Sequence, residues 1–206
     1  MNVRERILDT ALRLFRTYGM KSVTMFDISR ECGISKKTVY EHFTDKDALI
    51  NESIDFMLSQ RGSQINQCAE SDNAIAELLE SLQYSEQFAQ AINPVMFYEL
   101  RKYHPDAWAK VDAFKQQTAL PTIRKNLDRG IAEGLFHNNM NLDVIARMRQ
   151  LQLESVFSPE QYPATHYNHH EVLAELTWHY IQGVATLKGM EVAGNYRDAM
   201  VAVPVH

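Results

Sequence analysis

The polar side chains with the clearest chemical purpose lie together in one short stretch. It presents cationic, hydroxyl and imidazole groups at Lys36, Lys37, Thr38, Tyr40 and His42. Such groups donate hydrogen bonds to phosphate oxygens and to the edges of bases. Lysines are poor choices for the first turn of a helix, because that end already carries positive partial charge. The alternative is a solvated charged face, but a pair placed against local preference favours a binding role.

Other chemistries have weaker support in the sequence. No segment matches a glycine-rich phosphate loop, a nucleophile elbow or a metalloprotease helix. His166, His169 and His170 lie close in sequence, with His179 further on, but zinc sites usually include cysteine or carboxylate at defined spacing. We therefore expect a polar helix start at these histidines, and we expect no metal, no cofactor and no enzymatic activity.

The composition is that of a globular protein of one or two domains. Of the 206 residues, 45% are hydrophobic and 23% are charged. No apolar run is long enough to span a membrane, and the charged residues Arg4, Glu5 and Arg6 are unlike a signal peptide. The only cysteines are Cys32 and Cys68, which is typical of a reducing compartment. We expect a cytoplasmic protein with no membrane contact.

Charge is divided unevenly along the chain, whose formal net charge is -5. The first fifty residues contain nine Lys or Arg and seven Asp or Glu, whereas the remainder contains twelve and nineteen. A slightly basic end on an acidic body is the asymmetry expected when only the first domain contacts phosphates. The excess is small, so it permits nucleic-acid binding without demonstrating it.

The polar stretch is positioned by two short helices that meet at a tight turn. Gly33 can adopt the positive φ that the turn needs, and Ser35 can cap the second helix. The apolar side chains expected to fix the angle between the helices are Ile28, Ile34, Val39 and Phe43. In a helix-turn-helix the second helix enters the DNA major groove with its N-terminal residues. We predict this role for the helix that begins near Ser35.

Apolar spacing predicts helices in the rest of the chain and no strand. Gly19 is placed to end the first helix. The capping signals that mark other helix boundaries are Asn2 with Glu5, Thr24 with Asp27, Thr44 with Asp47, and Asn141. Longer helical segments are predicted from Asn93-Pro94 to Tyr103, from Pro105 to Gly134 with a kink or break at Pro121, and from about His169 to Met190.

The N-terminal stretch resembles the TetR family, the tetracycline-repressor-like bacterial transcriptional regulators. The resemblance covers roughly residues 4–50 closely, and beyond them only the helical pattern and the length agree with the family. The residues that match the family's pattern are Phe15 to Gly19, Thr24, Ile28-Ser29, Gly33-Ile34-Ser35, Tyr40 to Phe43, Lys46 and Leu49. The resemblance implies an all-α fold, in which a three-helix DNA-binding domain is joined by a connecting helix to a larger ligand-binding and dimerisation bundle.

The resemblance also implies roles for individual residues. Thr24 would cap the second helix and touch phosphate, and Ser35 would cap the recognition helix. Base edges would be contacted by Lys36, Lys37 and Thr38, and phosphates by Tyr40, His42 and Lys46. Glu41 departs from this scheme: it either accepts from a cytosine amino group or stays solvated, and we favour the solvated interpretation.

For the bundle, the resemblance implies an effector pocket and a dimer interface. Aromatic and methionine side chains at helical spacing are usually core, but a gap among them would suit an apolar or aromatic effector. The candidate pocket residues are Tyr84, Phe88, Met96, Tyr103, Trp108, Phe114, Met148, Gln152 and Trp178, with Gln83, Gln87 and Gln117 as further polar groups. The last helix has more apolar positions than one buried stripe needs. Its candidate interface residues are Trp178, Ile181, Gly183, Val184 and Leu187.

These inferences predict a DNA-binding domain over residues 1–46, an effector-binding and dimerisation domain over residues 47–194, and a loose tail over residues 195–206. The expected function is that of a transcriptional regulator, and most members of the family are repressors. Its homodimer would bind a palindromic operator in double-stranded DNA. Dimerisation is expected through the last two helices. A small effector would release the dimer from DNA. The alternative is a helical ligand-binding or adaptor protein whose helix-turn-helix serves protein contacts.

Overall fold

The computed structural model describes residues 2–93, 95–158 and 160–201, and within them the fold is all-α, as predicted. The helices are α1 (Val3–Tyr18), α2 (Met25–Glu31), α3 (Lys36–His42), α4 (Lys46–Cys68), α5 (Ala74–Ala91), α6 (Val95–Tyr103), α7 (Pro105–Phe114), α8 (Leu120–Ala132), α9 (Leu142–Ser155), α10 (His169–Val184) and α11 (Leu187–Val201). Asn93 precedes α6 as expected, whereas the predicted first-turn proline, Pro94, lies outside the described residues.

The chain forms two compact units. Unit 1 contains Met1–Gly62 and Ala91–Lys115, and unit 2 contains Ser63–Gln90 and Gln116–His206. The prediction of a single boundary near residue 46 differs from this division. Unit 1 is discontinuous, because α6 and α7 pack with the N-terminal helices although α5 separates them in sequence.

The core of unit 1 is built from the apolar faces of its short helices. Ile7 and Phe15 of α1, Ile28 of α2 and Val39 of α3 are all completely buried. Phe43 follows α3 and is 2% exposed, so these five apolar side chains pack the three N-terminal helices together. Of the side chains predicted to fix the angle between α2 and α3, only Ile34 is half-buried.

The core of unit 2 joins α5, α8, α9, α10 and α11. Its buried side chains include Leu79, Leu127, Ala146, Tyr180 and Ile181. The kink expected at Pro121 is confirmed as a π-helical turn, Lys115–Ala119, directly before α8. A proline in the first turn of α8 cannot donate a hydrogen bond to the preceding turn, so the regular helix is interrupted there.

The predicted single last helix from His169 to Met190 is wrong at its C-terminal end. Two helices, α10 and α11, replace it. The Thr186 N–H donates to the Leu135 carbonyl at 2.9 Å and the His137 N–H donates to the Val184 carbonyl at 2.9 Å. Pairing with this distant loop pulls Ala185 into extended backbone and ends α10.

Two further boundaries differ from the predictions. Residues 195–201 belong to α11 rather than to a loose tail, and residues 202–206 lie outside the described residues. Helix α4 begins at Lys46, and Asp45 Oδ1 accepts the Ala48 N–H at 2.7 Å, so Asp45 performs the capping expected of Thr44. In the described part of the chain, no helix is long and apolar enough to cross a membrane.

Candidate DNA-binding surface

The turn between α2 and α3 has the backbone geometry that the sequence predicts. Gly33 has a φ of +64°, a value that L side chains rarely adopt. The Ile34 N–H donates to the Ser29 carbonyl at 3.0 Å, which closes the turn against α2. Ser35 Oγ then accepts the Thr38 N–H at 3.0 Å and caps α3, as predicted. These contacts fix the direction in which α3 leaves the turn.

Helix α2 is anchored by the predicted capping pair. The Thr24 hydroxyl donates to Asp27 Oδ2 at 2.6 Å, and the Asp27 N–H donates to Thr24 Oγ1 at 3.2 Å. The hydrogen bonds from the Thr24 side chain and backbone hold the pKa of the Asp27 carboxyl below its ordinary value. Because the Thr24 proton is already donated, capping is the role that the structure shows for this residue.

Helix α3 exposes the side chains proposed to read DNA. Lys36 and Lys37 are exposed in its first turn, and neither forms an ion pair with another described residue. Thr38 is half-buried and shares a hydrogen bond of 2.9 Å with Ser35. With Val39 buried on the opposite side, the helix presents a cationic outer face at its positive end.

The residues expected at phosphates line the end of α3 and the start of α4. Tyr40 is 44% exposed, and its ring centroid lies 5.6 Å from Lys36 Nζ. His42 and Glu41 are exposed, whereas Lys46 is half-buried. Partial burial lowers the pKa of the Lys46 ammonium, and the negative charge of Glu99 opposes that shift.

Helices α6 and α7 add contacts to unit 1 that the sequence does not reveal. Glu99 of α6 is 8% exposed, and its Oε2 accepts the Lys21 N–H at 3.0 Å. His104, which precedes α7, lies 3.1 Å from the carboxylate of Asp47. These partners are far apart in sequence, so no local pattern could have identified them. The Glu99 contact stabilises the loop before α2, and the His104 contact stabilises the first turn of α4.

The candidate pocket residues are divided between the two units. Met96, Tyr103, Trp108 and Phe114 belong to unit 1, where Met96 is completely buried and Tyr103 is 43% exposed. Tyr84, Phe88, Met148, Gln152 and Trp178 belong to unit 2. Met148 is 40% exposed, so it lies on the surface of the chain rather than inside the bundle.

Two of the candidate interface residues have no surface to offer a partner. Ile181 and Val184 are 0% and 1% exposed, because they fill the core of unit 2. Gly183 is exposed, Leu187 is 87% exposed and Trp178 is half-buried. The apolar excess of the predicted last helix therefore serves the unit's own core at two of the five candidate positions, which are now divided between α10 and α11.

The clustered histidines have protein partners of their own. His169 starts α10, and its Nε2 lies 3.0 Å from the Tyr162 carbonyl oxygen. His170 lies 3.5 Å from the Glu86 carboxylate, and His166 lies 2.8 Å from the Thr165 hydroxyl. Among the residues with described positions, no group of three or more histidine, cysteine, aspartate or glutamate side chains is arranged to hold a metal ion.

Comparison with known proteins gives a family match over the N-terminal helices. Residues 7–52 match the family described as bacterial regulatory proteins, tetR family. The uncharacterized HTH-type transcriptional regulator YvaF of Bacillus subtilis (strain 168) is 30% identical over 166 residues, which cover 79% of this chain and 84% of that protein.

Solved structures share the fold over most of the chain. A TetR-family regulator from Agrobacterium tumefaciens matches with a TM-score of 0.73 and 17% identity, over 89% of this chain and 98% of its own. A regulator from Saccharomonospora viridis, solved in complex with choline, matches with a TM-score of 0.71 and 18% identity, over 89% of this chain and 97% of its own.

The chain is all-α, and the second helix of its helix-turn-helix motif is capped and cationic. With the family match, these features place the chain in the class of DNA-binding transcription regulators. Within that class, the chain belongs to the TetR family of bacterial regulatory proteins.

Proposed function

We propose that this TetR-family regulator binds a palindromic operator as a homodimer, represses transcription there and is released by a small apolar or aromatic effector. The observation that carries the proposal is the first turn of α3, where Lys36 and Lys37 are exposed and form no ion pair with a described residue. The N-terminal residues of a reading helix are those that meet base edges.

The proposal divides the surface into two tasks. Lys36, Lys37 and Thr38 read bases, because they occupy the first turn of the reading helix. Tyr40, His42 and Lys46 hold phosphates, and Thr24 and Ser35 fix the helices that carry them. The exposure of Tyr40 and His42 supports this division, since a buried side chain could not reach the backbone of DNA.

The test begins with a duplex selected by the wild-type protein from a random-sequence pool. Lys37→Ala should weaken binding to that duplex by about 1–3 kcal/mol per site and relax the base preference it reads. Lys125→Ala is the control, because Lys125 is also an exposed lysine but lies on α8. Gel-shift titration measures both variants. Wild-type affinity for Lys37→Ala would refute the reading role, and no duplex binding by the wild type would favour the adaptor alternative.

The homodimer is proposed to form through α9 rather than through the last two helices expected from the sequence, because two of the five candidate residues there, Ile181 and Val184, are buried in the core of unit 2. Val144, Met148 and Leu151 are 58%, 40% and 66% exposed, and their spacing of four and three residues places them on one face. Exposed apolar stripes of this kind mark interaction surfaces. A second copy of the chain is the proposed occupant, because a helix-turn-helix protein reads two half-sites of a palindrome as a symmetric dimer.

The oligomeric state of two matched variants tests the interface. Leu151→Glu should convert the dimer to monomers in sedimentation velocity, because it buries a charge in the contact. Leu187→Glu, at the exposed start of α11, should leave the dimer intact. The reverse outcome would move the interface to α11.

Release by an effector requires that the ligand prefer one arrangement of the dimer over another. The two reading helices must meet successive major grooves, which lie about 34 Å apart. An effector bound to the C-terminal bundle would favour a separation that does not match this spacing. The choline complex of the Saccharomonospora viridis regulator supports small-molecule binding by a protein of this fold.

A further inference from the structure

Unit 2 contains a buried arginine that forms no ion pair with any carboxylate of the described residues. Arg149 of α9 is 4% exposed. Its Nη2 donates to the Thr177 hydroxyl at 2.8 Å, and its guanidinium lies 4.9 Å from the centroid of the Tyr180 ring. Nη1 is buried and has no hydrogen-bond acceptor among the described residues. No described aspartate or glutamate forms an ion pair with this guanidinium.

The groups around Arg149 leave further hydrogen-bonding capacity unused. Tyr180 is 1% exposed, and its hydroxyl has no partner among the described residues. Gln152 lies one helical turn from Arg149 on α9, and its Oε1 is also buried without a described partner. Thr177 cannot offer a proton to a ligand, because its hydroxyl donates to the Leu173 carbonyl at 2.8 Å.

This arrangement is costly for the folded chain. Buried charges are normally paired, because removing a charge from water without a compensating partner disfavours folding. Burial lowers the pKa of Arg149 to about 10 and raises that of Tyr180 to about 12, so the cation and the neutral phenol both persist at neutral pH. A buried cation that is present although it destabilises the folded state indicates a functional site.

We propose that Arg149, Tyr180 and Gln152 bind the carboxylate group of the effector. This inference rests on the proposed function, in which the C-terminal bundle holds a small molecule. Arg149 Nη1 and the Tyr180 hydroxyl donate to the carboxylate oxygens, and the Gln152 amide, which can turn, supplies a further polar contact. Tyr180 belongs to an apolar cluster with Leu173 and Ile181. The effector therefore combines a carboxylate with an apolar body.

The test uses two carboxylates, octanoate and benzoate, each paired with its neutral amide, and inorganic phosphate as another anion. Thermal unfolding of the full-length protein measures binding, because a ligand of the native state raises Tm. At least one carboxylate should raise the Tm of the wild type, whereas its amide and phosphate should not. Arg149→Met should lose this response, and Tyr180→Phe should weaken the apparent affinity by roughly tenfold.

Arg147→Met is the matched control, because Arg147 is an exposed arginine on the same helix, and it should keep the wild-type response. Without ligand, Arg149→Met should be at least as stable as the wild type, since it removes an unpaired buried charge. A lower Tm would instead assign Arg149 a structural role. If that variant does not fold, Tyr180→Phe decides the question by its loss of affinity.

The proposal is wrong if neither carboxylate binds the wild type, if phosphate binds in their place, or if Arg149→Met responds as the wild type does. Operator binding is measured separately on the unliganded Arg149→Met protein, which should bind the selected duplex normally. If the wild type binds a carboxylate but its affinity for the duplex is unchanged, the proposed carboxylate site is supported and the proposed release mechanism is wrong. If the wild type binds no duplex, the proposed function fails while the carboxylate response still decides the site.

Discussion

Thr24 and Asp27 show how side chains three residues apart can define the start of the DNA-binding motif. Each accepts a backbone N–H from the other, so two otherwise unpaired donors at the start of α2 are satisfied. The carboxylate form of Asp27 is the form that accepts these hydrogen bonds. Its lowered pKa therefore links the stability of the motif to pH.

We expect the contribution of Asp27 to stability to be present above the ordinary pKa of an aspartate and to be lost as pH falls through the lower folded-state value. Urea unfolding of the wild type and Asp27→Asn should show a difference in unfolding free energy at neutral pH that shrinks below about pH 4. Asp72→Asn, at an exposed position, should change stability by less than about 0.5 kcal/mol. A difference that grows in acid would contradict the assignment.

Glu41 is the one carboxylate exposed on α3. If it is solvated, Glu41→Gln removes repulsion from nearby phosphates and should tighten binding to any duplex by a few fold, with the base preference unchanged. If it accepts from a cytosine amino group, the same substitution should alter the preferred base at one position, by about 1–3 kcal/mol. Repeating the selection with the variant distinguishes these outcomes, and we expect the first.

At the scale of the element, the small residues of α10 and α11 differ in what surrounds them. A Cβ added at Gly189 would collide with the Leu135 carbonyl oxygen, which is backbone and cannot turn aside. At Gly183, no described atom outside the neighbouring residues and backbone of α10 itself lies within 4 Å of the added atom. The close approach of α11 to the loop before α9 thus depends on Gly189.

Gly189→Ala should lower the unfolding free energy by about 1–3 kcal/mol, because the clash outweighs the better helix propensity of alanine. Gly183→Ala should raise it by up to about 1 kcal/mol, since it gains propensity without a clash. Urea unfolding of both variants checks the pair. Equal effects at the two positions would show that crowding against Leu135 does not limit this helix.

Local signals allowed much of unit 1 to be predicted from the sequence. The capping contacts at Asn2, Thr24 and Ser35 join residues three apart, and Gly33 has the predicted positive φ. Physical causes of this kind act within one helical turn, so the sequence alone displays them. The exposed positions of α3 could be predicted because they follow from these helix ends.

Features that depend on distant partners were not predictable. The break between α10 and α11 results from pairing of Thr186 with Leu135, and the apolar residue Ile181 could not be assigned to core or interface until its neighbours were known. Arg149 has no sequence signature, because an arginine in a helix is ordinarily solvated. Its significance comes only from its burial beside Tyr180.

At the scale of the whole molecule, the proposed dimer predicts a specific salt dependence. Each lysine at a phosphate displaces about one condensed counterion, so Lys46→Ala should reduce the slope of log affinity against log salt by about 1 per subunit and about 2 per dimer. Titrations at several salt concentrations measure the slope, and Lys125→Ala should leave it unchanged. A reduction of about 1 would imply one Lys46 contact per complex, and no reduction would remove Lys46 from the phosphate contacts.

Because unit 1 is discontinuous in sequence, the N-terminal helices cannot be exchanged between regulators as one continuous segment. Met96 and Leu100 of α6 are completely buried, and the Asn93 N–H donates to the Arg16 carbonyl at 2.6 Å. A chimera joined after residue 46 or residue 62 would separate the N-terminal helices from these partners. Transplanted N-terminal helices should therefore retain their DNA specificity and their stability only when residues 91–115 are exchanged with them. Recombination at a single junction, in the laboratory or in evolution, would give an unstable protein. Exchange of both segments together would give a stable one.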